Sequence, residues 1–450
     1  MNNLKQAFAL YSVKGSFFTF LLLCPLIFTA QNGRKLKLDE ALKLGLAQSR
    51  SLKISESKMA VMNSKYTELK DMIIPSVQLS ASYYRLSDNV PAFKFQIDPS
   101  KPPVTLFPVI LNNYSSRASV SESVFNGLRL KNGILSQKYL LEASRLDYEN
   151  DKAAIVNNIV SAYFNLYKVQ VSEKLLEQSL SEADERLKVV RSMEAQGLAI
   201  HNDVLRVELQ RSNIELSEID VNNNLEVANY NFGVLTGLPE GTRVEIDSAG
   251  LFQARDFKTF PEYLKTSLEH RNDLRAAEMR QKASEANLKV VRGGALPSLS
   301  VGANYYFSNP NPRYVPPVDA FHATWDIGLS LNWNLTSIYT THHQASEAQT
   351  VVLQNTAVSE QINDAIRMEV NQDFVNYEQS LRKIDVAQRS VSQAAENYRT
   401  MLSKYNNSSA LLTDLLDADL LQLQARLNLT YARADAEIAF NHLLKSTGTN

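Results

Sequence analysis

The stretch "IIPSVQLSASYYRL" occupies residues 73–86, and much of it returns at 296–307 as "LPSLSVGANYYF". With Pro75 set on Pro297, apolar Val77, Leu79, Ala81 and Tyr83 meet Leu299, Val301, Ala303 and Tyr305. Between them, Ser76, Gln78, Ser80 and Ser82 meet Ser298, Ser300, Gly302 and Asn304. A period of two predicts a β-strand with one apolar face and one small polar face. Its recurrence predicts that the strand is part of a unit used twice.

The repeat extends outward from the strand. At an offset of 222, "LDEALKLGLAQSRSLKISESK" (38–58) aligns with "FPEYLKTSLEHRNDLRAAEMR" (260–280). Past the next loop the offset falls to 211, so that Tyr114 meets Trp325, Asp203 meets Asp414, and "LTG" (235–237) meets "STG" (446–448). The chain therefore reads as a first repeat over 31–237, a linker over 238–261 and a second repeat over 262–450. Residues 134–196 and 339–447 contain neither Gly nor Pro. From Val370 through Tyr377, Ile384, Val391, Tyr398 and Tyr405, large apolar residues recur every seven positions, which predicts coiled-coil packing. The first copy keeps Ile159, Leu166, Leu180 and Leu187, while Glu173 and Glu194 interrupt the seam.

Helix lengths suggest a wall. A helix over 128–196 spans about 100 Å at 1.5 Å per residue. The expected return is 201–236 followed by 262–294, with the linker and its strand-like "RVEI" forming a belt half way. The second long helix, 338–405, is expected to return through 411–445, with 39–72 supplying the upper half.

The fourth strand is the clearest. Trp325, Ile327, Leu329, Leu331 and Trp333 alternate with Asp326, Gly328, Ser330 and Asn332. Apolar and aromatic on one face, small and polar on the other, over about ten residues, is the pattern of an outer-membrane barrel strand. The lipid face is expected to carry Trp325, Ile327, Leu329, Leu331 and Trp333. Tyr114 and Trp325, with Tyr83, Tyr84, Tyr305 and Tyr306, are expected in an aromatic girdle. In strand two the lipid face would take Ser116, Ala118, Val120, Glu122 and Val124, with Glu122 at the inner rim. The barrel hairpins are placed at 75–125 and 297–336. Loops 87–113 and 308–322 hold five and four prolines, so no sheet is expected to continue through them. Four strands cannot close a barrel, and an open edge in lipid is not tolerated, so several copies must share one.

The N-terminus reads as an export signal over 1–30: Lys5 and Lys14 precede the apolar run "FFTFLLLCPLIF". Cys24 is the only cysteine, and its neighbours Leu23 and Pro25 are poor context for acylation, so no disulfide is expected. The formal charge of −1 gives no reason to expect nucleic acid as a partner.

At this point the chain resembles the TolC-like outer-membrane efflux protein family over 36–448. The residues that carry the resemblance are the duplicated strand, the turn "GLAIHNDVL" (197–205) and "LLTDLLDAD" (411–419). The resemblance implies a mainly α protein with a membrane β-barrel part. Tandemly duplicated helical hairpins would form a periplasmic tunnel, and each protomer would give four strands to a trimeric twelve-stranded barrel. It further implies a homotrimer in outer-membrane lipid, a periplasmic membrane-fusion adaptor and an inner-membrane pump. Its narrow tunnel end would place Asp414 and Asp417 in the pore, with Tyr405 bonded to Asp203. Gly197 matches the expected turn glycine, Ser408 replaces it in the second copy, and Ala410 stands where a family arginine would make a second latch.

No catalytic constellation competes. The six histidines are scattered, and no Walker loop, GxSxG or HExxH occurs. No cofactor, metal or enzyme activity is expected. The function expected is an outer-membrane duct for efflux or type I secretion; the alternative is a structural coiled-coil protein of the envelope.

Overall fold

The computed structural model of the chain describes residues 34–107, 109–248, 250–252 and 257–449. The export signal expected at 1–30, including Cys24, lies outside the described residues. In chain order the elements are β1 (Arg34–Leu36), α1 (Leu38–Gln48), α2 (Arg50–Asp71), β2 (Ser76–Arg85), β3 (Phe93–Phe95), β4 (Val104–Phe107), β5 (Asn112–Phe125), α3 (Arg129–Ala195), α4 (His201–Thr236), β6 (Val244–Ile246), α5 (Phe260–His270), α6 (Asn272–Gly293), β7 (Ser298–Asn309), β8 (His322–Asn332), α7 (Ser337–Asn406) and α8 (Leu412–Thr447).

The runs without Gly and Pro become α3 and α7, of 67 and 70 residues. Their seams are inside: Ile159, Leu166, Leu187, Val370 and Tyr377 are buried. The polar interruptions are paired. Glu173 meets Arg243 at 3.2 Å and Glu194 meets His201 at 2.8 Å.

Two expectations about the shorter helices fail together. Residues 39–72 and 262–294 are not continuous; they break at Ser49 and Arg271, which are equivalent positions of the repeat. The reason is what abuts each break. A Cβ on Gly237, the left-handed cap of α4, would lie 2.6 Å from the Cβ of Gln48, the last residue of α1. A Cβ on Gly448, the cap of α8, would lie 3.0 Å from the backbone of His270, the last residue of α5. Thus α4 runs end-on towards α2, and α8 towards α6. The pairing expected from length alone, α4 with α6 and α8 with α2, is exchanged.

Arg271 holds the second of these junctions. Its side chain is only 10% exposed; it meets Asp273 at 2.6 Å and Glu369 at 2.5 Å, and donates to the Ser446 carbonyl at 3.2 Å. A cation at the C-terminus of α8 also opposes the helix dipole. Burial by itself would raise the Asp273 and Glu369 carboxyls, but the bonds and charge of Arg271 outweigh it and hold both below their ordinary values. The stability this lends is complete above about pH 4.5 and is lost as pH falls through the depressed values.

Half way along the helices lies the largest apolar cluster, built on Leu36, Ile159, Tyr163, Phe164, Phe232 and Val244. Here β1, which the sequence did not reveal, pairs in parallel with β6. The Tyr163 hydroxyl donates to the Leu36 carbonyl at 3.0 Å, and Gln170 and Asn229 side chains satisfy the backbone of β6.

The membrane sheet is antiparallel in the order β2-β5-β7-β8. Its register puts Val77, Val120, Ala303 and Ile327 in one row, and Tyr83 opposite Tyr114. Trp325, Ile327, Leu329, Leu331 and Trp333 are all exposed. Three details differ from expectation. Strand alternation splits the tyrosine pairs: Tyr83 and Tyr305 stay on the apolar face, but Tyr84 and Tyr306 lie in register with Asn113 and Arg117 on the polar one. Glu122 does face outward, opposite Val301, but a bulge between Ser123 and Phe125 then brings Phe125, rather than Val124, opposite Leu299. The proline-rich loop 87–113 contains a small hairpin, β3 with β4, because all its prolines fall outside those two strands. Where strands hand over to helices, a Cβ on Gly127 would strike the Gly293 carbonyl at 2.2 Å, so this crossing requires glycine.

Two outcomes are expected. Ile327→Arg, at mid-strand on the apolar face, should cost about 2–4 kcal/mol of barrel stability, whereas Ser330→Arg should cost far less; urea unfolding in lipid vesicles reads both. Arg271→Met leaves Asp273 without its cation and Glu369 with Lys445 alone, and should lower stability by about 3 kcal/mol, measured by thermal unfolding in detergent, with Arg271→Lys restoring part of it.

Candidate functional site at the helix-turn tips

Far from the sheet, α3 turns into α4 and α7 into α8 in the same way. After α3, Leu198 N–H bonds the Met193 carbonyl at 2.8 Å, with Gly197 at φ 71°. After α7, Ser409 N–H bonds the Lys404 carbonyl at 2.7 Å, with Ser408 at φ 56°. Ser408 therefore adopts the left-handed conformation that Gly197 adopts freely, at a steric cost of about 1–2 kcal/mol.

The two aspartates aligned by the repeat are also used alike. Asp203 accepts from its own helix's Ile200 N–H at 3.3 Å, and Asp414 from Leu411 N–H at 3.3 Å. Each is an acidic residue in a first helical turn, where the dipole favours negative charge. Asp414 and Asp417 are both exposed, three residues apart on α8.

Tyr405 is placed near Asp203 but is not bonded to it. It packs with Leu187, Val190, Val204, Val207 and Leu412, where both hairpins meet, and its hydroxyl lies 3.9 Å from the Met193 sulfur. Burial raises its phenol, and the nearby Asp203 carboxylate raises it further. No Tyr405–Asp203 hydrogen bond forms within the protomer; Asp203 accepts instead from the Ile200 N–H of its own helix.

A buried ion pair between the hairpins lies one to two turns deeper. Asp419 is buried and meets Arg186 at 2.7 Å; Gln210 donates to the same carboxylate at 3.3 Å, and Arg186 donates to the Tyr398 hydroxyl at 3.3 Å. One ion pair thus joins α3, α4, α7 and α8. Its sequence signal was faint: Arg186 precedes the seam residue Leu187, and Asp419 follows two exposed aspartates in the same string. Among the described residues no group of three His, Cys, Asp or Glu side chains is placed to hold a metal ion. No helix among them is long and apolar enough to cross a membrane.

A four-stranded membrane-type sheet, with a glycine crossing at Gly127 and Gly293 where it meets helical hairpins whose long arms run about 100 Å, defines a subunit of an outer-membrane channel with a helical tunnel. The chain belongs to the outer membrane efflux protein family, whose model matches residues 41–237 and 263–449. It is 21% identical over 358 residues to the outer membrane protein TolC of Escherichia coli K12, covering 75% of this chain and 70% of that protein. Its fold is that of the Campylobacter jejuni CmeC outer membrane channel, with a TM-score of 0.74 at 17% identity over 92% of this chain and 85% of the other. It also matches the outer membrane protein VceC of Vibrio cholerae, with a TM-score of 0.73 at 14% identity over 91% and 96%. These relatives place the protein in the outer membrane with its helices in the periplasm.

The turns provide a paired test. Nothing lies within 4 Å of a Cβ built on Gly197, so Gly197→Ala should destabilise the tip by about 1 kcal/mol through backbone strain alone. Ser408→Gly should instead protect the second turn. Hydrogen exchange at 195–200 and 406–411 should move in opposite directions in the two variants.

Proposed function

We propose that three copies of the chain close one twelve-stranded barrel and form the passive exit duct of a tripartite efflux or type I secretion system. The observation that carries this reading is the unfinished sheet: β2 and β8 each pair on one side only, while its apolar face is exposed along its length. A second copy supplies the missing partner strand. The same incompleteness marks α4, whose Leu205, Leu209, Leu216, Ile219, Val227, Tyr230 and Val234 are exposed within the protomer. A periplasmic adaptor and an inner-membrane pump deliver cargo to the tips, and the chain itself performs no chemistry. The duct follows removal of a signal over 1–30 and is built from the repeats 31–237 and 262–450 with 238–261 as its belt.

Asp414 and Asp417, repeated by threefold symmetry, make stacked carboxylate rings that favour cations at the entrance. The closed state is held by the Arg186–Asp419 pair and by Tyr405 in its apolar cluster, not by a Tyr405–Asp203 bond within the protomer.

Purified protein in mild detergent should be a homotrimer by light scattering and should conduct in planar bilayers. A monomer with its strands intact, or a trimer that never conducts, sinks the duct and leaves a structural coiled-coil protein. Asp414→Ala with Asp417→Ala should reduce cation selectivity and remove block by trivalent cations from the periplasmic side. Asp419→Asn should raise conductance by weakening the junction between hairpins.

A further inference from the structure

The polar face of the membrane sheet is almost uncharged. Across β2, β5, β7 and β8 its residues are Ser, Gln, Asn, Gly, Thr, Tyr and His, apart from two fixed charges, Arg117 and Asp326. These two are not scattered. Asn304 lies between them: Arg117 donates to its carbonyl oxygen at 2.7 Å from Nη2 and 3.1 Å from Nε, and its amide donates to Asp326 at 2.6 Å.

A third charge is brought in from outside the strands. The β7–β8 loop turns back over this face, so that Arg313 pairs with Asp326 and donates to the Trp325 carbonyl at 3.1 Å. The loop is fastened behind it. Asn311, almost wholly buried, donates to the His322 carbonyl at 3.0 Å and accepts from the Arg313 N–H at 3.0 Å, and Tyr314 stacks on His322 at 4.3 Å. Both guanidiniums lie over one ring, Tyr306, with Arg313 at 4.8 Å and Arg117 at 5.5 Å from its centroid. The loop's other charge, Asp319, is held by Asn309, in register with outward-facing Tyr114, and does not join the cluster.

Two arginines share one carboxylate, so each protomer presents one net positive charge to the lumen near the extracellular end. We propose that Arg117 and Arg313 form a threefold cationic ring at the exit, a binding and selectivity site for anions carrying phosphate or several carboxylates, with Asp326 and Asn304 as its positioning residues. Guanidinium forks suit such oxygens, and Tyr306 supports them without neutralising them. The scale is right for a shared field. Twelve strands about 4.8 Å apart, tilted by about 40°, form a backbone cylinder of radius about 12 Å. Inward side chains and a folded-back loop bring the charges to within about one Debye length of the axis, roughly 8 Å at 0.15 M salt. The duct would then carry opposite signs at its two ends, acidic at the entrance and basic at the exit.

This inference rests on the trimeric duct, and two readouts keep it separable from that reading. Calorimetry with inorganic tripolyphosphate on the detergent-solubilised trimer measures the ring whether or not the channel conducts. Bilayer recordings measure block by tripolyphosphate added from the extracellular side, and the reversal potential in asymmetric KCl. Arg117→Gln with Arg313→Gln should weaken tripolyphosphate binding and block by roughly tenfold and shift selectivity towards cations, more so at low salt. Arg117→Lys with Arg313→Lys should retain most of the binding, which controls for folding. Asp326→Asn is the decisive variant. A charge ring predicts tighter binding, because the net charge rises, whereas a purely structural cluster predicts the same loss as the glutamine pair. If the wild-type trimer binds no tripolyphosphate, if the glutamine pair binds as the wild type does, or if Asp326→Asn moves with it, the ring is refuted. A trimer that binds tripolyphosphate but does not conduct refutes the duct and leaves the ring standing.

Discussion

Backbone hydrogen bonding in hydrocarbon governs this molecule. In water an unpaired strand edge is solvated; in the membrane core each unpaired N–H or C=O costs several kcal/mol. Four strands leave the outer edges of β2 and β8 open, so the membrane portion of one chain is physically incomplete. The helical portion is incomplete on the same terms, with a largely exposed apolar row on α4. The protomer is one arc of a wall, and its sheet and helices are unfinished in the same way.

The duplication supplies matched parts but not identical chemistry. The turns after α3 and α7 share a backbone path, and Asp203 and Asp414 cap their helices alike. Elsewhere the copies diverge. Ser49 starts α2 with a hydroxyl accepting from Leu52 N–H, while its equivalent, Arg271, ties α6 to α7 and α8. Asp419 is buried against Arg186, while its equivalent, Glu208, forms an exposed pair with Arg191. An exposed pair contributes little, and a buried one is costly to break. The buried pair thus ties the first hairpin to the second, while the exposed pair stays within the first hairpin.

Much of the fold was legible because its signals are periodic. The alternation from Trp325 to Trp333 and the seven-residue spacing from Val370 to Tyr405 each follow from the geometry of one element. Residues 134–196 could scarcely be anything but helix once their apolar seam was seen. The candidate site was less legible. Asp414 and Asp417 could be read only through family resemblance, and the same string gave no hint that Asp419 points inward. Tyr84 and Tyr306 share the composition of a girdle with their neighbours, but strict alternation along the strand sends one of each pair to the other face.

By itself the sequence determined the two long helices and the four strands of the membrane sheet, that the unit is used twice, and that the sheet has a lipid face. These follow from local periodicity and from the absence of Gly and Pro over long runs. Tertiary structure alone decided that α4 abuts the α1–α2 break and α8 the α5–α6 break. Helix lengths fit either pairing, and the choice lies in contacts between Gly237 and Gln48 and between Gly448 and His270, far apart in the chain. It also decided that Arg313 folds back to Asp326 and that Arg186 finds Asp419. A charge in a sequence has no partner until distant backbone segments are fixed, because its energy depends on burial and on separations of a few ångströms, neither of which periodicity encodes.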